Sequence, residues 1–177
     1  MKKALCVFAH PDDSFLFAHN IRRSTPDVEW FDLCLTYRAD QRRGREFVQA
    51  CAIMESQPLL AGLIDNVYET PAPSVYQEAV THTLGTAGLT LDDFTTVVTH
   101  NPVGEYGHGH HKAAHRALVG LPFTAQLLMP AHNYAVPETT YVSMDKLKSP
   151  LVDLFESEHY LLFHFDLITE GFVTWQR

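Results

Sequence analysis

Three side chains that can bind a metal ion or transfer a proton occur within four positions near the start of the chain: His10, Asp12 and Asp13. They follow the apolar run 4–8, which has the length and flanks of a buried strand. Residues 14–21 come next and can begin a helix. Pro11 restricts its own φ and favours extended backbone at His10, so the cluster should be stiff. A plain turn in which Asp13 or Ser14 caps the helix would explain the same residues.

A second cluster lies far along the chain and contains five histidines: His100, His108, His110, His111 and His115. It follows the β-branched run 95–99, which predicts a strand, and it leads into a predicted helix at 110–119. Because ligands bind at the carboxyl ends of strands in open α/β sheets, we expect both clusters at one edge of the sheet. The alternative for this segment is a solvated, histidine-rich loop.

The two clusters together predict metal-assisted amide hydrolysis. His10 and Asp13 would supply a nitrogen and an oxygen ligand, and one histidine of the second cluster would complete the three-ligand set typical of catalytic zinc. Zinc lowers the pKa of its water to about 7. Asp12 would remain off the metal as the general base and return the proton to the leaving amine. A second histidine could stabilise the oxyanion.

Strands and helices alternate along the part of the chain that must position these residues. The pattern predicts strands at 4–9, 29–36, 61–68, 95–99 and 125–129, of which 61–68 is either a weaker strand or a strand plus turn. It predicts helices at 14–23, 42–55, 75–84 and 110–119. We place Pro58 after the second helix as a stop and Ser74 as the N-cap of the third. Beyond these elements the pattern indicates a strand at 139–142, a helix at 145–155 and final strands at 160–168 and 172–175. This order predicts an α/β fold, a three-layer Rossmann-like sandwich with a mostly parallel sheet.

Composition limits the class of protein further. The 177 residues predict one domain, 1–177, and a net charge of -8 without a long basic run argues against a nucleic-acid partner. No signal peptide fits and no apolar run approaches the length of a membrane span, so we expect a cytoplasmic protein. The three cysteines are expected to be reduced, buried and structural: Cys6, Cys34 and Cys51.

Two motifs carry a resemblance to a known family. Ala9-His10-Pro11-Asp12-Asp13 and the later Gly107-His108-x-x-His111 resemble the motifs of the PIG-L/LmbE-like zinc-dependent N-deacetylases. Members of that family usually read His-Pro-Asp-Asp-Glu and Gly-His-Pro-Asp-His. Arg43-x-x-Glu46-x-x-x-Ala50 also resembles a family pattern on the second helix. The resemblance covers about the first two-thirds of the chain, and the pair of motifs is specific.

The resemblance implies a role for each matching residue. It implies a zinc ion bound by three ligands: His10, Asp13 and His111. It implies Asp12 as general base and His108 as the residue that stabilises the oxyanion. Arg43 would contact a hydroxyl or phosphate of the substrate. His115 lies four residues after His111 on the same helix face, so a paired ligand is an alternative, but the family pattern favours His111 alone.

The sequence departs from the family pattern at two places in the motifs. Ser14 replaces the usual glutamate, which removes a carboxylate beside the site, although serine can still cap a helix. Gly109 and His110 replace the usual Pro-Asp, and a histidine cannot support its neighbour as an acid would. The C-terminal third matches no motif, and in the family this segment often shapes the substrate pocket.

The expected function is that of a zinc-dependent (or other divalent cation-dependent) hydrolase that removes an N-acyl group, above all N-acetyl. Its expected partner is a small N-acylated amino sugar or glycoconjugate, and a homo-oligomer is left open. The alternatives are an amidase or esterase of the same fold with a non-sugar substrate, or a metal-binding relative without catalysis. Nucleotide binding has little support because no Gly-x-Gly-x-x-Gly follows the first strand.

Overall fold

Strands and helices alternate in the computed structural model, which describes residues 1–66, 68–131, 140–142 and 170–175. The strands are β1 (Lys2–Phe8), β2 (Val28–Thr36), β3 (Ser56–Leu63), β4 (Thr96–Thr99), β5 (Gln126–Pro130), β6 (Thr140–Val142) and β7 (Glu170–Trp175). The helices are α1 (Asp13–Arg23), α2 (Arg42–Ile53), α3 (Pro73–Thr86) and α4 (Gly109–Val119), with a short 3-10 helix at Leu91–Asp93.

The described strands form one sheet in the order β3-β2-β1-β4-β5-β7-β6. β1 pairs in parallel with β2 and β4, β2 with β3, and β4 with β5. β7 runs antiparallel to β5, and β6 antiparallel to β7. The predicted mostly parallel sheet is confirmed. The strand order reverses between β1 and β4, and the crevice beyond their carboxyl ends is where open α/β sheets bind ligands.

Apolar side chains cover both faces of the sheet. Successive residues of a strand point to opposite faces, and in β1 Leu5 and Val7 join the core cluster that includes residues of α3 and α4. Cys6 and Phe8 join the cluster that includes residues of α1 and Ala50 of α2. Helices therefore lie on both sides of the sheet, and the predicted three-layer α/β sandwich is confirmed.

The start of the third strand and the start of the helix after it differ from the sequence prediction. β3 begins at Ser56 and not at residue 61, and Pro58 lies inside it. The proline is tolerated because β3 is an edge strand of the described sheet, where a missing N–H costs little. Ser74 is not the N-cap of α3, because the helix begins at Pro73, whose fixed φ suits the first helical position.

The segment after β5 is described only in part. The predicted strands at 139–142 and 172–175 correspond to β6 and β7. The predicted helix at 145–155 and strand at 160–168 lie outside the described residues, and the single-domain prediction stays a prediction. Within the described part of the chain, no helix is long and apolar enough to cross a membrane. The three cysteines are buried and free, as predicted, and burial raises the pKa of each thiol.

Candidate metal centre

The turn between β1 and α1 brings the first cluster to the carboxyl edge of the sheet. Asp13 is the first residue of α1, and its Oδ2 accepts the backbone N–H of His10 at 2.7 Å. This bond folds the Asp13 side chain back toward the end of β1. Asp13 is therefore not the N-cap of α1, because it lies inside the helix and accepts from a residue before it, and its carboxylate lies among three histidines. His10, Asp12 and Asp13 are all buried.

Two imidazole nitrogens and the two oxygens of one carboxylate lie close to the separations that a small metal ion requires. His10 Nδ1 is 3.1 Å from His111 Nε2 and 3.3 Å from Asp13 Oδ2. His111 Nε2 is 3.4 Å from Asp13 Oδ1. Tetrahedral zinc with bonds of about 2.0–2.1 Å would hold its ligand atoms about 3.3–3.4 Å apart. The donor set, two imidazoles and a carboxylate, is also one that zinc accepts.

A carboxylate lies behind each of the two histidines. Glu105 Oε2 accepts the Nδ1–H of His111 at 2.7 Å, which leaves His111 Nε2 directed at His10 and Asp13. Asp65 Oδ1 lies 3.5 Å from His10 Nε2 and is buried with no hydrogen-bond partner among the described residues. A metal ion on His10 Nδ1 would leave Nε2–H to face this oxygen. Such carboxylate–histidine pairs orient metal ligands, so the residues present fit a divalent ion.

The charges in the cluster favour an ionised Asp13 and a neutral His111. Burial alone would raise the pKa of Asp13, but His111, His100 and His10 hold it well below its usual range. Burial lowers the pKa of His111 to about 3, which keeps the imidazole neutral and able to ligate. Burial also opposes a charge on His10, but the Asp13 carboxylate outweighs it and raises the pKa of His10 to about 10.

Asp12 faces a different partner from Asp13. Arg43 of α2 donates from Nη2 to Asp12 Oδ1 at 2.6 Å. The structure therefore brings Arg43 to the predicted site, where it contacts the predicted base. Its role in substrate binding stays a prediction.

His108 lies at the N-terminus of α4, beside both proposed histidine ligands. Its ring centroid is 4.8 Å from that of His10 and 4.6 Å from that of His111. Its Nδ1 is buried, and no described residue offers it a hydrogen bond. Burial, reinforced by the charge of His10, lowers the pKa of His108 to about 4. The ring is thus near the proposed metal position without a carboxylate hydrogen-bonded to it.

His110 points away from His108. Its Nδ1 lies 2.6 Å from the hydroxyl of Tyr76, and its Nε2 lies 3.1 Å from the carbonyl oxygen of Asn66. His10, Asp65 and His110 also lie within ligand range of one another. In this group the ligand atom of His10 would be Nε2, which lies 3.5 Å from Asp65 Oδ1. The predicted site with Asp13 and His111 would instead use Nδ1 of His10. Two further groups of described residues lie within ligand range of one another, His10 with His108 and His111, and Asp13 with His100 and His111. The ligand set His10, Asp13 and His111 stays a prediction.

His115 lies one turn further along α4. Its Nδ1 donates to the carbonyl oxygen of His100 at 2.9 Å. The side chain is buried and hydrogen-bonded to the backbone, and the interpretation that His111 alone is the ligand stays a prediction. His100 in turn accepts the backbone N–H of Ala9 at Nε2 and contacts Glu105 through Nδ1 at 2.9 Å. His100 thus links the ends of β1 and β4.

Ser14 does not cap α1, because it lies inside the helix. Its hydroxyl donates to Asp32 Oδ1, and Arg22 donates to both Ser14 Oγ and Asp32 Oδ1. Arg22 and Asp32 are both buried, so the pair would be costly without these hydrogen bonds. The position where the family has glutamate thus belongs to a buried ion pair beside the site.

Three residues at the site were missed by the sequence analysis: Tyr37, Asp65 and Glu105. Asp65 lies two residues after the end of β3, so the rule that ligands meet strand ends would have selected it. The predicted segment 61–68, a strand or a strand plus turn, did not locate that strand end. Glu105 lies between the histidines of the second cluster, and a charged residue in that segment was the available signal. Nothing local in the sequence marks Tyr37.

Comparison with known proteins supports the fold. No family model and no curated protein matches the chain. Among solved structures, the zinc-inhibited form of teicoplanin deacetylase matches with a TM-score of 0.68 at 13% identity, over 99% of each chain. N,N'-diacetylchitobiose deacetylase from Pyrococcus horikoshii matches at 0.63 and 16%, over 98% of this chain and 84% of that one. GalB, a 4-carboxy-2-hydroxymuconate hydratase from Pseudomonas putida, matches at 0.62 and 12%, over 100% and 98%. At these identities the likeness concerns the fold, and it confirms the fold that the resemblance to the PIG-L/LmbE-like family predicted.

Proposed function

We propose that the chain is a divalent-metal-dependent hydrolase that removes an N-acyl group, above all N-acetyl, from an amino-sugar-like substrate. The observation that carries the proposal is the close approach of His10 Nδ1 and His111 Nε2, 3.1 Å apart, to the Asp13 carboxylate, whose Oδ2 lies 3.3 Å from the first and whose Oδ1 lies 3.4 Å from the second. A carboxylate, Asp12, lies next to this group in the chain and has a separate partner. Two of the similar structures are named as deacetylases, one of teicoplanin and one of diacetylchitobiose.

The residues around the metal centre have separate tasks in this proposal. His10, Asp13 and His111 would hold the ion, which when bound lowers the pKa of water to about 7 and polarises a carbonyl group. Asp12 takes the proton of the attacking water and passes it to the leaving nitrogen. His108 donates an N–H to the carbonyl oxygen as negative charge develops there. Arg43 holds the Asp12 carboxylate by a hydrogen bond and contacts a substrate hydroxyl or phosphate.

A fold of this kind does not determine the reaction, since a hydratase is among the similar structures. The assay must therefore follow the product. N-acetylated amino sugars and their conjugates are incubated with protein of measured metal content, and free amine and acetate are quantified. We expect one metal ion per chain, stoichiometric amine and acetate, and loss of both products after chelation. Full activity in protein stripped of metal would contradict the proposal.

The location and assembly of the protein stay predictions. We expect the substrate to be a small molecule, in line with the similar structures named as complexes with teicoplanin or with an inhibitor. Cytoplasmic location and a homo-oligomer are compatible with the described residues, and neither is needed for the chemistry. Size-exclusion chromatography with light scattering measures the second directly.

A further inference from the structure

Tyr37 has a backbone conformation that is unusual for its residue type. It follows the last residue of β2 and has a φ of 62°, in the left-handed region that favours glycine and asparagine. Its backbone N–H donates to the carbonyl oxygen of Leu63 at 3.0 Å, which ties the end of β2 to the end of β3. Strained residues of this kind cluster at functional sites, where the surrounding structure maintains them. The left-handed backbone at Tyr37 therefore points to a functional role for its side chain.

The Tyr37 hydroxyl has two partners, one on each side. It donates to Asp65 Oδ2 at 2.9 Å and accepts from Arg43 Nη1 at 3.3 Å. The guanidinium carbon of Arg43 also lies 5.0 Å from the centre of the tyrosine ring, within the range of a cation–π contact. A single side chain thus holds a carboxylate and a guanidinium group at once.

Asp65 and Arg43 each direct a second polar atom at a residue of the proposed catalytic machinery. Asp65 Oδ1 lies 3.5 Å from Nε2 of His10, the proposed metal ligand. Arg43 Nη2 donates to Oδ1 of Asp12, the proposed base, at 2.6 Å. A continuous series of polar contacts therefore runs from the base through Arg43, Tyr37 and Asp65 to the metal ligand.

We infer that Tyr37 is a positioning residue that orients both Arg43, which contacts the proposed base, and Asp65, which faces the proposed metal ligand His10. This inference rests on the proposed function. Its hydroxyl holds one oxygen of Asp65, so that the other oxygen faces the imidazole of His10. Its ring and hydroxyl restrict the long side chain of Arg43, so that one nitrogen faces Asp12. The hydroxyl should act on metal affinity through Asp65, and the ring and the hydroxyl together should act on turnover through Arg43.

Two substitutions separate these effects. Tyr37→Phe keeps the ring over Arg43 but removes the hydroxyl, and Tyr37→Ala removes both. The backbone N–H that bonds Leu63 remains in each variant. Tyr68→Phe is the matched control, because Tyr68 also follows a strand, here β3, but is 95% exposed. Zinc dissociation constants are measured by competition with a chelator, and kcat and KM with an N-acetylated amino sugar conjugate.

We expect Tyr37→Phe to weaken zinc binding by about tenfold, the lower end of the 10–100-fold range for residues that orient metal ligands. Tyr37→Ala should show the same loss of affinity and a further decrease in kcat. In an Asp65→Asn background, Tyr37→Phe should cause no additional loss of zinc affinity, because the contact it supports is already altered. The Tyr68→Phe control should match the wild type in every measurement.

Other outcomes would overturn the inference. Wild-type zinc affinity in Tyr37→Phe would do so, as would an effect that adds in full to that of Asp65→Asn, because a general structural role predicts additivity. A wild-type protein that binds zinc but releases no amine would contradict the proposed function alone, since the affinity measurements would still test Tyr37. A wild-type protein that binds no zinc would contradict both.

Discussion

At the scale of single residues, the adjacent carboxylates of Asp12 and Asp13 differ in what surrounds them. Asp13 lies beside the ring nitrogens of His10, His100 and His111 at 3.3–3.4 Å. Asp12 instead accepts a hydrogen bond from the guanidinium group of Arg43. Consecutive residues in a tight turn direct their side chains differently, and this separates a candidate ligand from a candidate base.

The first prediction concerns Asp12. Asp12→Asn is nearly isosteric and should retain the metal ion, because the three proposed ligands are unchanged. Turnover should fall by about 10²–10⁴-fold, the usual contribution of a positioned base. Steady-state kinetics and elemental analysis on the same preparation measure both quantities. Near wild-type rates would exclude the role, and loss of the metal ion would show that the two aspartates have been exchanged.

The second prediction concerns proton release on metal binding. The pKa of His10 is raised to about 10 in the metal-free protein, so His10 is protonated at neutral pH and must lose a proton before Nδ1 can ligate. Zinc binding at pH 7–8 should therefore release about one proton per chain, and apparent affinity should rise as pH rises toward 10. Calorimetry in buffers of different ionisation enthalpy measures the release. An affinity independent of pH would count against His10 as a ligand.

At the scale of elements, the site is assembled from the carboxyl ends of the parallel strands. The first cluster follows β1, Tyr37 follows β2, Asp65 follows β3, and the second cluster follows β4. The parallel register of β1 and β4 aligns Val7 with Thr99, which brings the two histidine clusters to one edge. Helix α2 then has to deliver Arg43 to the same edge, so its position on the sheet matters for the site.

The third prediction compares two helical glycines. A Cβ on Gly44 of α2 would lie 1.9 Å from the carbonyl oxygen of Arg38, whereas a Cβ on Gly85 of α3 would meet nothing within 4 Å. Gly44→Ala should therefore destabilise the fold by about 1–3 kcal/mol and lower turnover by moving the adjacent Arg43. Gly85→Ala should stabilise it by about 0.5–1 kcal/mol, since alanine favours helices. Urea denaturation measures both, and equal effects would refute the packing argument.

At the scale of the whole molecule, the proposed metal ion would join parts of the chain that are distant in sequence. His10 and His111 are 101 positions apart; His10 lies in the turn after β1, and His111 lies in the first turn of α4, the helix that follows β4. A ligand that binds only the folded chain stabilises it by an amount that grows with the logarithm of the ligand concentration relative to the dissociation constant. Metal binding should therefore act as a cross-link between the two halves of the parallel sheet.

The fourth prediction follows from that coupling. Zinc at 100 times its dissociation constant should raise the free energy of unfolding by about 2.7 kcal/mol. His111→Ala should lose both the metal ion and this increase. His115→Ala should retain both, because His115 bonds a backbone carbonyl and is not among the proposed ligands. Denaturation curves with and without zinc measure the difference, and a His111→Ala protein with full metal content would refute the ligand assignment.

The sequence by itself determined the features that depend on neighbouring residues. Hydrophobic periodicity indicated the alternating strands and helices and hence the parallel α/β sandwich, although it misplaced β3 by five residues at its start. The spacing of the motifs placed His10, Asp12 and Asp13 at one strand end and the histidines at another. Only the tertiary structure decided which partner each of these side chains meets. The pairing of Arg43 with Asp12, the Asp65 carboxylate behind His10, and the approach of His10 to His111 depend on strand order and register, and local patterns do not encode these.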